Sequence, residues 1–457
     1  MPETMTAPAP QMPACSHVPR PYAGPTRAEV LAMRREHVNP AVFTLYRDPL
    51  MIVEGHMQWL FDETGRRYLD MFAGIVTVSC GHCHPKIVSA VREQTETLQH
   101  ATTIYLHPNL PLLARKLASK LPEGMDVVYF VNSGSEANDL AVTMARLFTG
   151  NHDVVAVRNA YHGASPSAMG LTSHHTWKYP TPPQGGAVHH APCPDAFRSA
   201  LPGSPDEVAE RSAAEIRDIV RYSTPGKIAA FIAEPIQGVG GATHGAPSYL
   251  RHAYAVAREH GGLCIADEVQ TGFGRTGAHY WGFENFGVTP DIVTMAKGIG
   301  NGVPLAAVAT RREIAETLTQ RVHFNTYGGN PVSMAAGLAV LDVIEEDGLQ
   351  ENARVVGGRL MEGLRGLMAT HPTIGDVRGM GLMLGMELVR DRGTREPAKA
   401  ETLQLLEEAR EAGVLLGKGG LDGNVVRIKP PMCITADDAD FAVEVIDRAL
   451  TRIEGGA

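Results

Sequence analysis

The sequence predicts an α/β protein: a large domain on a mainly parallel sheet, followed by a smaller α+β C-terminal domain. Three observations carry this. Apolar runs of strand length alternate with helical patterns through most of the chain. Those runs are continuously apolar rather than alternating, as in strands covered on both faces. Near residue 330 the texture changes and long helical stretches take over. Taken in order, strands are expected at 126–131, 153–157, 228–233, 262–266, 291–295 and 305–309, with helices at 135–148 and 248–259 among them. That alternation is the pattern of a doubly wound domain. Past 330, helices at 330–346 and 349–370 lead to short strands within 373–389, then to helices near 401–412 and 436–452. The expected division is 1–60 as an N-terminal arm and segment, 61–330 as the large domain and 331–457 as the small one. The stretch 171–205, with prolines, glycines and paired histidines, reads as a long excursion of the kind that serves function or an interface.

Composition narrows the function classes. Hydrophobic residues are 44% of the 457 and charged residues 20%, values that suit a soluble chain with a large core and exclude wholesale disorder. The 48 glycines and 31 prolines show no repeat period, which points to many tight turns. A formal charge of −9, with no cluster of five or more basic residues, argues against nucleic acid as a partner. No apolar run approaches the ~18 residues needed to cross a bilayer. Six cysteines in a chain this long do not make a disulfide framework, so a reducing compartment is expected. Residues 1–21 carry no apolar core, no basic lead and no Arg/Ser-rich amphipathic pattern. They read as a flexible Pro/Ala arm, and the chain is expected in the cytoplasm.

Three motifs carry chemistry. In VNSGSEANDL (131–140) a strand ends at Val131 and Ser133 to Glu136 match a capping box opening a helix. Gly134 lets a ligand approach the backbone, and the helix start with the Ser135 hydroxyl would bind a phosphate. An ordinary capped helix has the same pattern. In GLCIADEVQTGFGRTG (262–277) an apolar strand delivers Asp267 and Glu268 at its carboxyl end, where open α/β sheets place ligands. A buried carboxylate there needs a cationic or N–H partner, although a strand-end Asp can also simply cap a loop. In DIVTMAKGIGNGVPLAAV (291–308) Lys297 follows another apolar strand among small residues. Such a lysine can have a lowered pKa and form a Schiff base, whereas a lone lysine usually faces solvent. Together, a phosphate cradle, a strand-end carboxylate and an amine are the contacts pyridoxal phosphate requires. Tyr161-His162-Gly163, after the strand at 153–157, can supply an aromatic face to the ring.

With SGSEAN (133–138), YHG (161–163), EPIQG (234–238), DEVQTGFGRTG (267–277), AKGIGNG (296–302) and NTYGGNP (325–331), the chain resembles the class III, fold type I aminotransferases from about residue 40 to 450. YLDMFAGIVTVSCGHCHP (68–85), CPDAFR (193–198), HFNTYGGNP (323–331) and RIKPPMCIT (427–435) are most similar to the mitochondrial-type alanine–glyoxylate aminotransferase subgroup. The resemblance implies a fold type I pyridoxal 5'-phosphate transferase in which Lys297 forms the Schiff base and later shuttles a proton. Asp267 holds the pyridine nitrogen protonated. Gly134 and Ser135 bind the phosphate, joined by Thr326 of the partner subunit. Tyr161 stacks on the ring with His162 beside it, and Gln270 lies near the phenolic oxygen. Glu234 and Arg427 are implied as a switchable pair, in which Arg427 binds an α-carboxylate or is neutralised by Glu234. Ile75 falls at a substrate-facing position. The implied reaction moves an amino group from alanine, β-alanine or a similar amino acid to a 2-oxo acid such as glyoxylate or pyruvate. The alternative is a phospho-lyase acting on a phosphorylated amino alcohol such as phosphoethanolamine. A homodimer or dimer of dimers is implied, with small-molecule substrates, no nucleic acid, no membrane and no metal.

Two literal matches point elsewhere. Gly272-Phe-Gly274-Arg-Thr-Gly277 fits G-x-G-x-x-G, but its strand ends five residues earlier and no clear helix follows, so a dinucleotide reading fails. Cys80-Gly-His-Cys83-His84 fits a haem-attachment pattern, which needs an export route that the N-terminus does not suggest. It reads instead as a loop entering a helix that begins near Pro85. The pairs His174-His175 and His189-His190 lack zinc-site spacing.

Overall fold

A computed structural model describes residues 10–180, 186–199, 201 and 203–455. Residues 1–9 of the expected arm, and 181–185, 200 and 202 of the expected excursion, lie outside the described residues. In chain order, β1 (Ile52–His56), β2 (Trp59–Asp62) and β3 (Arg67–Asp70) form an antiparallel meander. Next, β4 (Val127–Val131), β5 (Val154–Val157), β6 (Val188–Ala191), β7 (Ala230–Ala233), β8 (Leu263–Asp267), β9 (Ile292–Met295) and β10 (Ala306–Thr310) build a seven-stranded sheet in the order β4-β10-β9-β8-β7-β5-β6. Strands β5, β7, β8, β9 and β10 are buried at every position, which is why their sequences are continuous apolar runs. Finally β11 (Ile374–Met380), β12 (Met383–Leu388), β14 (Gly417–Gly419) and β15 (Val425–Ile428) form an antiparallel sheet, while β13 (Val414–Leu415) leaves it to pair with β3.

One strand of the large sheet runs against the rest. Only residues 296–305 separate β9 from β10, fewer than the dozen or more that a parallel crossover needs, so β10 returns antiparallel. It is antiparallel to β4 as well, which leaves β4 pointing the same way as β9. The carboxyl ends of β4, β5, β7, β8 and β9 therefore open on one edge. The helix Gly134–Thr149, Tyr161, Glu234, Asp267 and Lys297 all start from that edge.

The mainly parallel large sheet and the α+β character of the C-terminal region agree with the expected fold class. Two features differ from expectation. The arm from Met12 onward is laid against the β1–β3 meander: Arg67 Nη2 donates to the Pro13 carbonyl at 2.6 Å, and Glu54 holds His17 Nε2 (2.7 Å) and the Arg20 N–H (2.9 Å). The excursion also contains more regular structure than a loop, namely a 3₁₀ turn at His175–Trp177 and strand β6, and the helix Pro205–Ser223 begins at its end. The boundary expected after residue 60 falls inside β2, and Leu69 of β3 faces Val414 of β13, so N- and C-terminal segments share one sheet. Among the described residues no helix is long and apolar enough to cross a membrane, and no cluster of His, Cys, Asp and Glu could hold a metal ion.

Candidate active site

A cavity of about 370 Å³ opens at the carboxyl edge of the large sheet, within the usual range for a small-molecule site. It is lined by Gly134, Ser135, Tyr161, His162, Glu234, Asp267, Gln270 and Lys297, eight of the residues singled out from sequence. Its floor is the start of the helix Gly134–Thr149. Ser133 caps it, its Oγ accepting from the Glu136 N–H at 3.2 Å. The capping box is not reciprocal as expected: the Glu136 carboxylate takes the Asn132 N–H at 2.9 Å rather than that of Ser133. A Cβ on Gly134 would sit 3.2 Å from Val269 Cγ2 and crowd the cradle. Gly163, at φ +130°, has a stricter need, since a Cβ there would lie 2.4 Å from Ser135 Oγ.

Asp267 ends β8 and is 3% exposed. Its Oδ2 accepts from Asn138 Nδ2 at 2.8 Å and lies 2.8 Å from His162 Nδ1, while Oδ1 accepts from the Val269 N–H at 3.1 Å. Asn138 is fixed in turn by Thr294 Oγ1, which donates to its Oδ1 at 2.8 Å. The carboxylate is thus held by donors on three elements, and His162 Nε2 is buried without a partner. Lys297 follows β9 in a left-handed conformation, φ +49°, opening a short 3₁₀ turn. Burial pushes its pKa below the ordinary lysine value, and the Asp267 and Glu234 charges oppose that only in part. Glu234, 7% exposed, accepts from the Tyr161 N–H (3.0 Å) and the Gly238 N–H (2.7 Å). Burial raises its pKa, and the Asp267 charge adds to the effect.

Arg427 lies on β15, buried, with its guanidinium 4.8 Å over the Phe72 ring. Its Nε and Nη1 make no hydrogen bond, and among the described residues no carboxylate comes within ion-pair distance, so Arg427 and Glu234 are not paired in this structure. Burial pulls its pKa down to about 10, with the Glu234 charge opposing. Phe72 is followed by four successive left-handed residues: Ala73 (φ +50°), Gly74 (+57°), Ile75 (+63°) and Val76 (+64°). Asp70 Oδ1 accepts from the Phe72 and Ala73 N–H groups, both at 2.8 Å, while Oδ2 is 2.7 Å from His82 Nε2. Ile75 is exposed on this turn, Thr326 is exposed on its own loop, and neither lines the cavity of its own chain.

The literal matches resolve into structure. Arg275, from the glycine-rich loop, is buried and donates to the Leu382 and Pro430 carbonyls at 3.0 and 2.8 Å, tying the large sheet to the C-terminal region. In the C-x-x-C-H segment Cys80 is fully buried, His82 contacts Asp70, and His84 Nε2 lies 3.0 Å from Asp347 at the head of the helix Pro85–Thr97. Sequence reasoning assigned no role to Asn138, Thr77 or Lys429. Asn138 stands inside SGSEAN and Lys429 inside RIKPP, so both were in quoted motifs.

The donor set fits pyridoxal phosphate: a side-chain-free cradle at a helix start, a buried carboxylate held by donors, and a desolvated amine meet in one cavity. Comparisons with known proteins agree. A family model described as aminotransferase class-III matches residues 45–450. A protein of Arabidopsis thaliana named alanine–glyoxylate aminotransferase 2 homolog 2, mitochondrial, is 54% identical over 443 residues, 97% of this chain and 91% of its own. Among solved structures, an (S)-enantioselective omega-transaminase from Thermomicrobium roseum superposes with a TM-score of 0.87 at 34% identity, covering 94% of this chain and all of that one. A phospholyase from Arthrobacter in complex with phosphoethanolamine gives 0.86, also at 34% identity, over 92% and 99%. The cytoplasmic placement expected from residues 1–21 is overturned by the Arabidopsis relative, which is named mitochondrial. That expectation rests on local charge and apolar content, and neither fixes a destination.

Proposed function

The chain belongs to the class III aminotransferases and is a pyridoxal-phosphate-dependent transaminase; from that premise we propose that it transfers the amino group of alanine or β-alanine to glyoxylate or pyruvate. The observation that carries the proposal is Arg427, a buried cation with unsatisfied donors beside the Lys297 cavity, suited to a substrate α-carboxylate. In this reading Lys297 carries the cofactor, Asp267 faces its ring nitrogen, Gly134 and Ser135 hold its phosphate, Gln270 its ring oxygen, and Tyr161 with His162 its face. Bound there, the cofactor supplies an electron sink for the Cα carbanion. Once the donor's amine has displaced it, Lys297 Nζ would be the free base that takes the proton from the donor's Cα, a task helped by its depressed pKa. Arg427 orients the carboxylate, and Glu234, held by two backbone N–H groups, stands ready to balance the arginine when the substrate carries no carboxylate there. Thr326 of the partner subunit completes the phosphate site, which makes a homodimer the active unit.

Replacing Lys297 with Ala should abolish both the visible absorbance of the holoenzyme and every half-reaction across a panel of donors and acceptors. Retained transamination in that variant would overturn the assignment. The alternative, phosphate elimination from phosphoethanolamine, has the weaker support: the similar phospholyase is 34% identical, against 54% for the aminotransferase relative. Phosphate release without amine transfer in the same panel would favour it.

A further inference from the structure

Lys429 is a fully buried lysine that the proposed reaction leaves without work. It follows β15 by one residue, is 0% exposed, and has no carboxylate within ion-pair distance among the described residues. Its backbone N–H donates to the Met71 carbonyl at 2.8 Å, which fixes the start of the side chain. Its Nζ donates to the Gly238 carbonyl at 3.0 Å and to Gln270 Oε1 at 3.4 Å. Gly238 is bound at its other end as well, its N–H donating to Glu234 Oε2 at 2.7 Å. It also packs flat on the Gln270 carboxamide, since a Cβ on Gly238 would lie 2.2 Å from Cδ, Nε2 and Oε1. One buried amine thus joins the loop after β7, the loop after β8 and the end of β15. Burying an amine without a counter-ion is unfavourable, so the position is not filled for stability.

We propose that Lys429 is a positioning residue of the transamination site: it occupies the oxygen of Gln270, leaving the amide's NH₂ end to the cavity, and clamps the 234–238 loop that carries Glu234. The inference rests on the pyridoxal-phosphate reading of the Lys297 cavity. A carboxamide released from Lys429 can rotate and offer its oxygen instead, turning a donor toward the cofactor's ring oxygen into an acceptor. The charged groups around Lys429 are Arg427 on its own strand, Glu234, Lys297 and Arg275, three cations against one carboxylate. Burial and those cations hold its pKa well below the ordinary lysine value, so Lys429 acts here as a hydrogen-bond donor rather than as a fixed charge. That exchange of donor for acceptor favours the protonated form of the lysine-bound cofactor.

The test is Lys429→Met, close in volume and without donor or charge, purified with its cofactor. Titrating the visible band of the resting holoenzyme against pH should show its midpoint moved upward. The value of kcat/KM should fall about tenfold or more, and Gln270→Ala added to Lys429→Met should cost little beyond either change alone, as for groups acting through one contact. A midpoint and kcat/KM within twofold of the parent, or losses that multiply in the double variant, would overturn the inference. Lys429→Gln, which keeps a shorter donor, reads the same two quantities should the methionine variant not fold. Lys297→Ala run alongside separates the two failures: an inactive Lys297→Ala with an unchanged Lys429→Met defeats only this inference, and an active Lys297→Ala defeats the premise.

Discussion

Asp70 shows how far one carboxylate reaches. Its two oxygens hold the Phe72 and Ala73 N–H groups and His82, and the turn they anchor keeps four successive residues left-handed. For Ala73, Ile75 and Val76 that conformation costs roughly 1–2 kcal/mol each. Strain of this kind persists only where the surroundings over-determine it. Phe72, at the mouth of the turn, is the surface on which Arg427 rests. Asp70→Asn should therefore destabilise the fold by about 2 kcal/mol, the scale of a hydrogen bond to a charged group, read as a lower urea midpoint. It should also raise KM for substrates bearing an α-carboxylate more than it lowers kcat. Nothing in Phe-Ala-Gly-Ile-Val signals a left-handed turn, since only one of the four residues is glycine. Asp267 and Lys297, by contrast, stood out because the one ends a buried apolar strand and the other follows one by two residues, and chain direction alone sends such ends to the ligand edge.

At the scale of elements, the final helix Ala436–Gly455 is fastened by His371, whose ring nitrogens lie 2.7 Å from Asp447 and from Glu454. Burial works against charge on His371, but its bonds to those two carboxylates outweigh it and raise its pKa. The pKa of Glu454 is lowered: burial opposes this, and bonds to Thr373 and His371 prevail. The histidine's contribution is complete below the unfolded value of ~6.5 and is lost as pH rises through the higher folded value. That of Glu454 is present above ~4.3 and is lost as pH falls. The gap in Tm between the parent and His371→Gln should accordingly be widest near pH ~5–6 and close on the alkaline side. A gap that does not change with pH would mean that the ring is neutral. Helices of this length were legible from their 3.6-residue pattern, and the one at Ser248–Glu259 matches its expected limits. The β1–β3 meander and β13 to β15 were not: strands of two to five residues with mixed burial carry too little periodicity to separate from loop.

At the scale of the whole molecule, the exposed apolar side chains among the described residues include the stretches Ile104-Tyr105-Leu106 and Val322 to Tyr327, the second of which contains Thr326. An apolar surface of this kind marks an interface, in keeping with the proposed homodimer. Sedimentation should find a dimer at working concentration, and Thr326→Ala should weaken cofactor retention without changing that state. A monomer with full activity would defeat the proposal. The homodimer is an expectation from resemblance alone, because a residue that serves another copy leaves no trace in the pattern that buries its own core.

The pairing of β3 with β13 also sets a timetable. Arg66 reaches the Glu411 carbonyl, 345 residues further along the chain, and Leu69 faces Val414. A ribosome adding ~5–20 residues per second needs roughly 20–70 s to bridge that separation. For that interval the first three strands have been made and their partner has not. Trp59, Phe61 and Leu69, buried in the finished protein, are then apolar side chains awaiting a late neighbour, and a chaperone that shields them would act on the nascent chain rather than on the enzyme.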